Sequence, residues 1–402
     1  MRVLISAYAC EPGKGSEPGA GWNWALAAAH NHEVWVLTRA NNRASIEQAL
    51  TRRNMPPLHV VYLDFPRWAR FWKRGGRGVR LYYVLWQLLA AREARRLHRE
   101  HTFDLVHHIT FANAWLPALA AVPDAPFVLG PVGGGPRVPL RLYGVLGPRG
   151  ALRELLLVGG RWLSRVNPLT RGGWKRAAVI LVQNEETRAA LPRRYRHKAR
   201  VRPNASIEEP LLASQAEKLG RPTAICAGRL LPWKGVSLAI LALRALPAWR
   251  LLVVGSGPGD ASLRRLVARH DLGERVEFIP WLPQSELWLR LASCRAMILP
   301  SLRDDASFIS VEAQALGVPV VAFGRGGPAV LARFPGTSFE LAPIGSKDQC
   351  VRALADALLR LEGRAPAAHK PEFTLEGVAR DLDHVYAIAS RPGAPSSVEA
   401  TA

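Results

Sequence analysis

Cysteine is scarce in this chain, which has only four among 402 residues. Cys10, Cys226, Cys294 and Cys350 lie far apart, without a CxxC pair and without a histidine at metal-ligand spacing. This pattern argues against a disulfide-rich scaffold and against a zinc site. It favours a reduced, cytoplasmic protein.

Long apolar runs are also missing. No run reaches the roughly 18 residues that a membrane-spanning helix needs. The nearest, residues 81–91, contains Gln87 and has basic flanks. No secretory signal is visible, because Glu11 and Pro12 soon interrupt the short apolar run that follows Met1. We therefore expect neither a spanning helix nor export.

Acidic residues are scarce in the first half of the chain. Residues 1–205 contain 32 Lys and Arg but only 12 Asp and Glu, a net charge of +20, whereas residues 206–402 contain 22 and 20, a net charge of +2. Such an excess is typical of proteins that bind nucleic acid, an anionic membrane or a polyanionic substrate. A solvated, arginine-rich face would produce the same composition.

Short apolar runs alternate with amphipathic segments along the whole chain, which is long enough for two domains. The runs that read as strands are "RVLIS", "EVWVLT", "HVVYLDF", "DLVHHI", "FVLGPV" and "VILVQN", then "TAICAG", "RLLVVG", "RVEFIP", "AMILPS" and "PVVAF". Alternation of this kind predicts parallel βαβ units, and the continuous apolar runs predict sheets covered on both faces. We therefore predict an α/β protein with two Rossmann-like, doubly wound domains facing a cleft.

The series of strands restarts after a polar stretch with three prolines, residues 200–222. We place the first domain at 1–205 and the second at 206–370. Residues 371–390 form a predicted helix that could pack on either domain. Residues 391–402 have the composition of a disordered tail.

Two cations follow the first strand of the second half, in "GRLLPWKG". Arg229 and Lys234 lie five residues apart, and a predicted helix begins near Gly235. Ligands of open α/β sheets bind at the carboxyl ends of strands, and both cations suit a phosphate. The alternative is a pair of ordinary surface cations on a loop.

A glycine-rich turn, "VVGSGPGD", follows the next strand. Its central Gly257 could let backbone N–H groups approach a phosphate closely. A plain tight turn would need glycine equally.

Carboxylates cluster where a strand turns into a helix, in "PSLRDDASFISVEAQALGVP". Asp304 and Asp305 precede the predicted N-cap, Ser307, and Glu312 lies inside the helix. The helix start favours an anion, whereas carboxylates accept hydrogen bonds from hydroxyl groups. Cations for a diphosphate and carboxylates for sugar hydroxyls together suit a nucleotide sugar. The aspartates would equally complement the helix dipole.

These motifs resemble those of a known family. "GRLLPWKG", an acidic residue separated by seven others from a Glu, and "GVPVVA" are similar to the retaining GT-B glycosyltransferases of family 4, the glycosyl transferases group 1. The resemblance extends over essentially the whole chain. "SAYACEPGKGSEPGAGWNWALA" and "GPVGGG" resemble a subgroup of this family. It implies an enzyme of class EC 2.4, with an acceptor-binding first domain and a second domain that binds the nucleotide sugar.

The resemblance also implies roles for individual residues of the second domain. Arg229 and Lys234 would hold the donor diphosphate, Glu312 the nucleotide ribose, and Asp304 the transferred sugar. Further candidates for donor contacts are the backbone at Ser307, Phe308 and Ile309, and Gly257. Asp304 stands where Glu is usual, and "DASF" replaces a glycine-rich spacer, which leaves the donor sugar open.

In the first domain the resemblance implies a glycine-rich loop and a histidine. The loop "EPGKGSEPGAGW" supplies Gly15, Gly19 and Gly21. "DLVHHIT" supplies His107 and His108, and we favour His108 as the catalytic residue over a purely structural pair.

Stabilisation of the leaving diphosphate by two cations and a helix start would make a metal unnecessary. The adjacent aspartates at 304–305 are not the spaced DxD of metal-dependent transferases. We therefore predict neither a metal nor another cofactor.

A membrane partner is predicted from residues 66–100, which contain ten Arg and Lys against two Glu. Aromatic residues are interleaved with them, including Trp68, Phe71, Trp72, Tyr82 and Tyr83. This mixture suits an anionic membrane surface, and also a lipid-linked diphosphate or an anionic oligosaccharide. We predict a cytoplasmic protein peripheral to the inner membrane, with a glycan or lipid-linked acceptor.

Two alternatives stay open. A basic nucleic-acid-binding protein would explain the charge, but no recognised motif is present and the second-domain motifs would be unexplained; we predict no nucleic-acid partner. A sugar-nucleotide epimerase or a non-catalytic relative could use the same scaffold.

Overall fold

The computed structural model describes most of the chain and divides it into two compact units. The described residues are 1–51, 55–70, 72, 78–207, 211, 214, 216–361 and 371–391. The first unit comprises Met1–Gly135, Gly160–Ser206 and Glu372–Ala402, and the second comprises Pro136–Gly159 and Ile207–Pro371.

The two units differ in part from the domain ranges expected from the sequence. The change of unit after Ser206 lies next to the expected boundary at 205. Residues 136–159, expected in the first domain, belong to the second unit, and the C-terminal helix belongs to the first. Apart from Arg391, the expected tail at 391–402 lies outside the described residues.

The first unit contains a parallel sheet whose described strands are β1 (Arg2–Ala7), β2 (Glu33–Arg39), β3 (Leu58–Leu63), β4 (Leu105–Thr110), β5 (Phe127–Val132), β6 (Ala177–Val182) and β7 (Ala199–Val201). Their order in the sheet is β3-β2-β1-β4-β5-β6-β7. Val3, Leu4 and Ile5 are successive residues of β1 and are all fully buried. Since successive side chains point to opposite faces, helices cover both faces of this sheet.

The helices whose bounds the structure describes before the second sheet are α1 (Ser16–Ala29), α2 (Arg43–Leu50), α3 (Val79–His101), α4 (Tyr143–Ser164), α5 (Pro168–Arg176) and α6 (Glu185–Ala190). Helix α4 is kinked at Gly147, where φ is +67°. The boundary between the two units falls within α4, after Gly159.

The second unit repeats the plan with β8 (Thr223–Ala227), β9 (Arg250–Val254), β10 (Val276–Ile279), β11 (Ala296–Leu299), β12 (Val320–Phe323) and β13 (Phe339–Ala342). These strands are parallel, in the order β10-β9-β8-β11-β12-β13. The helices between and after them are α7 (Val236–Ala242), α8 (Asp260–Arg269), α9 (Gln284–Ser293), α10 (Phe308–Ala315), α11 (Gly326–Leu331) and α12 (Lys347–Arg360).

The last helix, α13 (Leu375–Ala389), packs against the first unit. Its Val378, Leu382 and Tyr386 join Val3 and Trp24 in one buried cluster. An apolar residue at every third or fourth position of α13 explains this packing, because such spacing places these side chains on one face.

The predicted α/β class with two doubly wound sheets is confirmed. In each sheet the strand order reverses beside the first strand, between β1 and β4 in the first unit and between β8 and β11 in the second. Such switch points are where open α/β sheets bind ligands. Strands β7 and β13 were not predicted, because Arg200 and Glu340 interrupt their short apolar runs.

Candidate functional site

Two loops lie side by side at the switch point of the second unit, one after β8 and one after β11. Gly235 has φ of +67°, and a Cβ atom there would collide with the carbonyl oxygen of Pro300. The N–H of Leu302 donates a hydrogen bond to the carbonyl of Trp233 at 2.8 Å. Glycine is needed at position 235 both for the backbone conformation and for the close approach.

An ion pair joins these loops. Lys234 Nζ lies 2.6 Å from Asp304 Oδ2, with side chains 33% and 10% exposed, respectively. The other carboxylate oxygen of Asp304 accepts a hydrogen bond from the N–H of Ser307 at 3.1 Å. Asp304 therefore holds the ammonium group near the start of α10 and satisfies one backbone donor there.

Arg229, the second predicted cation, is exposed and lies two residues after the end of β8. Among the residues that the structure describes, its side chain has no hydrogen-bond or ion-pair partner. Its guanidinium is thus accessible to an anion from solution.

The glycine-rich turn after β9 packs against the same loop. Cβ atoms on Gly255 and Gly257 would approach the backbone of Gly228 and Leu230, respectively, too closely. This contact explains glycine at position 257 without a ligand, so its part in donor binding stays a prediction.

Helix α10 starts at the predicted position, but not with the predicted side-chain cap. Ser307 occupies the N-cap with φ of +53°, and its hydroxyl pairs with that of Ser310 instead of a backbone N–H. Phe308 and Ile309 form the first turn, where backbone N–H groups have no acceptor within the helix. The start of α10 therefore favours an anion.

Glu312 lies one turn further along α10 and is half-buried. Its Oε1 accepts a hydrogen bond from Gln284 Nε2 at 3.3 Å. Sequence reasoning missed Gln284, because no local motif connects the first residue of α9 with α10.

A charged and aromatic cluster supports the two loops. The guanidinium carbons of Arg153 and Arg303 lie 4.7 and 4.8 Å from the ring centroid of Trp233. Arg303 also forms a 2.7 Å ion pair with Glu154, whose side chain is 3% exposed. Arg153 and Glu154 come from the segment that sequence reasoning assigned to the first domain, so this cluster was missed.

In the first unit, the two histidines lie within β4, and His107 is fully buried. Its Nε2 is 2.7 Å from the carbonyl oxygen of Gly130, and its Nδ1 is 2.9 Å from the Tyr386 hydroxyl. Because the carbonyl can only accept, Nε2 carries the proton and Nδ1 accepts from Tyr386. Burial lowers the pKa of His107 to about 4.

His108, the predicted catalytic residue, is 1% exposed. Its ring nitrogens lie 3.2 Å from the Tyr83 hydroxyl and 3.3 Å from the Ser6 hydroxyl. Tyr83 donates its own proton to the carbonyl of Pro117, so His108 Nε2–H donates to Tyr83. Burial, and secondarily the charge of His107, lower the pKa of His108 to about 3. Its catalytic role stays a prediction, since in this conformation both ring nitrogens are engaged within the unit.

The predicted glycine-rich loop differs from the structure. Gly15 is exposed directly before α1, but Gly19 and Gly21 are buried inside that helix. A Cβ atom on Gly21 would collide with the carbonyl oxygen of Ala9, so this glycine brings α1 close to the segment after β1. The Glu17 carboxylate accepts a hydrogen bond from the N–H of Ala112, a contact that sequence reasoning missed.

The aromatic residues that suggested a membrane surface are divided between interior and surface. Tyr82 and Tyr83 on α3 are fully buried, which corrects their predicted place at an interface. Trp72 is half-buried and Trp68 is 79% exposed. Phe71 lies outside the described residues.

The described part of the chain has neither a metal-binding cluster nor a membrane-spanning helix. It contains no group of three or more His, Cys, Asp or Glu side chains that could hold a metal ion. No described helix has both the length and the hydropathy needed to cross a bilayer. The four cysteines are buried, and burial raises the pKa of Cys10 to about 12.

Comparison with known proteins connects the second-unit geometry to a family. Residues 208–365 match the family model described as glycosyl transferases group 1. This range contains Arg229, Lys234, Asp304 and Glu312. The second unit is a glycosyl transferases group 1 domain.

Curated relatives match the chain over a limited region. It is 35% identical over 168 residues to D-inositol 3-phosphate glycosyltransferase of Mycobacterium marinum, which covers 39% of this chain and 36% of that protein. It is 32% identical over 166 residues to the protein of the same name from Mycobacterium tuberculosis, covering 39% and 35%. The matched region thus spans about a third of the length of these relatives.

Solved structures match the chain over nearly its whole length. Sucrose-phosphate synthase from Thermosynechococcus elongatus superimposes with a TM-score of 0.59 at 17% identity, covering 96% of this chain and 98% of the other. Anabaena Alr3699/HepE in complex with UDP and glucose gives 0.53 at 16% identity, covering 96% and 99%. At these identities the matches show the fold, which is GT-B, as the sequence resemblance implied.

Proposed function

We propose that this protein is a glycosyltransferase that moves a sugar from a nucleoside-diphosphate sugar to a hydroxyl of a glycan or lipid-linked acceptor. The observation that carries the proposal is the Lys234–Asp304 ion pair at the start of α10, close in sequence to the exposed Arg229, in a group 1 domain. The product belongs to cell-surface polysaccharide or glycolipid synthesis.

The chemistry follows from where charge develops. The bond between the anomeric carbon and the diphosphate oxygen breaks, the acceptor oxygen bonds to that carbon, and the acceptor proton is released. Arg229, Lys234 and the N–H groups of Phe308 and Ile309 stabilise the negative charge that builds up on the leaving diphosphate. Transfer proceeds with retention, as the family resemblance implies, and without a metal ion.

The carboxylates have separate tasks in this mechanism. Glu312, oriented by Gln284, accepts hydrogen bonds from the ribose hydroxyls. Asp304 positions Lys234 and lies beside the transferred sugar. We propose a catalytic role for His108 of the first unit, which requires that its enclosed ring become accessible.

The first half of the chain binds the acceptor, and its net charge of +20 supports an anionic acceptor or an anionic membrane surface. The names of the mycobacterial relatives point to a phosphorylated acceptor in those proteins. We place the protein at the cytoplasmic face of the inner membrane, without a nucleic-acid partner.

A thermal-shift screen against uridine, guanosine, adenosine and thymidine diphosphate sugars tests the proposal. At least one of them raises the melting temperature, because a ligand of the native state stabilises it by mass action. Arg229→Ala and Glu312→Ala each abolish the shift, whereas Arg265→Ala, an exposed arginine on α8, keeps it.

Two results would overturn the proposal. Salt-sensitive retention on DNA without any nucleotide-sugar shift would indicate a nucleic-acid-binding protein. Conversion of the donor sugar in the absence of any acceptor would indicate an epimerase.

A further inference from the structure

Helix α4 turns an apolar face to solvent. After the kink at Gly147 it is helical through Ser164. Five of its large apolar side chains are 54–67% exposed: Leu152, Leu155, Leu156, Trp162 and Leu163. We call these five residues the α4 apolar face.

The spacing of these residues places them on one side of the helix. Positions 152, 155, 156, 162 and 163 follow the steps of three, four and seven that align side chains along an α-helix. Val166 and Leu169, which follow α4 in the chain, are also 56% and 42% exposed. The alignment follows from the geometry of one helix alone.

Two charged residues of α4, Glu154 and Arg161, are buried instead. Glu154 is 2% exposed and paired with Arg303. Arg161 is 8% exposed and donates to the carbonyl of Gly135 at 3.2 Å. Buried charges beside exposed leucines reverse the pattern of an ordinary surface helix at these positions, and exposed apolar patches mark interaction sites.

The charge around the α4 apolar face has one sign. Residues 137–171 contain seven arginines and a single acidic residue, Glu154, which is buried and neutralised by Arg303. Six of the arginines are exposed: Arg137, Arg141, Arg149, Arg153, Arg165 and Arg171. Leucine, tryptophan and arginine are the residues of helices that lie in a membrane interface, where arginines reach headgroups while apolar side chains enter the acyl boundary.

We propose that the α4 apolar face docks the protein on an anionic lipid bilayer, with the helix lying in the plane of the headgroups. This inference names the surface for the membrane attachment in the proposed function, and it rests on that function for the presence of a lipid-linked acceptor. It replaces residues 66–100 as the docking segment, since Tyr82 and Tyr83 are interior.

Co-sedimentation of the full chain with phosphatidylcholine vesicles, with and without phosphatidylglycerol, tests this surface. The protein binds the anionic vesicles, and binding weakens as salt rises. The double variant Leu156→Ser/Trp162→Ser lowers the vesicle partition coefficient by at least about 10-fold, because two apolar side chains no longer leave water. The matched double variant Trp281→Ser/Leu359→Ser, at residues 72% and 48% exposed elsewhere, binds as the wild type does.

Several outcomes would overturn the docking surface. They are no binding of the wild type to anionic vesicles, equal loss in both double variants, or loss in Trp68→Ser alone. A wild-type dimer that becomes a monomer in Leu156→Ser/Trp162→Ser, without vesicle binding by either, would make this face a protein–protein interface.

Nucleotide-sugar thermal shifts of the same samples separate this inference from the proposed function. Loss of vesicle binding with an intact shift and an unchanged melting temperature supports the docking surface. Vesicle binding by the wild type that depends on the α4 apolar face, without any nucleotide-sugar shift, would overturn the proposed function and leave the docking surface standing.

Discussion

The switch points of the two units differ in where their polar residues fall relative to the strands. In the second unit, Arg229 comes two residues after β8 and Lys234 further along the same loop, beyond the sheet. In the first unit, His107 and His108 lie inside β4, whose six residues are all buried. The second unit therefore has charged side chains beyond the end of a strand, whereas the first unit has imidazole rings within its core.

The two arrangements offset the free-energy cost of burying polar groups in different ways. Lys234 pairs with Asp304 at 2.6 Å, and a third of its side chain stays exposed to water. The histidines stay neutral because burial lowers each pKa far below 6.5, and partners satisfy every ring nitrogen. Similar sheet topology thus supports a charged, accessible site and a neutral, closed one.

The largest expected effect is on the reaction rate, at the charged site of the second unit. Lys234→Ala lowers the rate of nucleoside diphosphate release from the donor by on the order of 10²–10³, because it removes a positive charge from the leaving group. Steady-state kinetics with the donor found by thermal shift measure this. Arg265→Ala is the control and leaves the rate unchanged. A loss below 10-fold in Lys234→Ala would contradict the idea that the accessible charge of the second unit stabilises the leaving group.

The next effect concerns the closed site. His108→Ala lowers the free energy of unfolding by about 2–4 kcal/mol, because it leaves a cavity and removes the partner of Ser6. Urea unfolding measures the loss, and His30→Ala, at an exposed histidine, changes it by less than about 0.5 kcal/mol. Unchanged stability together with lost transfer would contradict the closed site and make His108 a catalytic residue.

A smaller effect is expected from a change in the backbone that supports the charged site, at Gly235. Gly235→Ala destabilises the second unit by about 1–3 kcal/mol and weakens nucleotide binding, because φ is positive and the new Cβ meets Pro300. Gly273→Ala, with nothing within 4 Å of the new atom, changes neither by a measurable amount. Calorimetric titration with UDP and GDP compares the two; equal affinities would show that the loop contact does not support the site.

Counted per pH unit and per histidine, the smallest effect is the pH dependence of stability. Between pH 6.5 and about 4 the unfolded histidines bind protons that native His107 and His108, with pKa values of about 4 and 3, do not. Their contribution is complete above pH 6.5 and is lost as pH falls, by up to about 1.4 kcal/mol per pH unit for each histidine. Urea unfolding across this range measures the slope, and His107→Gln reduces it. An unchanged slope in that variant would mean that His107 is not the titrating group.

Local pattern predicted much of the second unit, because its strands are continuous apolar runs followed at once by glycine, cations or carboxylates. It did not predict that residues 136–159 pack there. Glu154 and Arg303 are 149 positions apart, and no periodicity connects them. The same limit applies to Gln284, which meets Glu312 only through the packing of α9 beside α10.

The amino-acid sequence by itself determined the alternation of strands and helices and the position of Arg229, Lys234 and Asp304 just beyond strand ends, since both depend on neighbouring residues. Only the tertiary structure decided that His108 is enclosed and that the α4 apolar face is exposed to solvent. Exposure is set by which distant elements cover a side chain, and those contacts are absent from any local stretch of sequence.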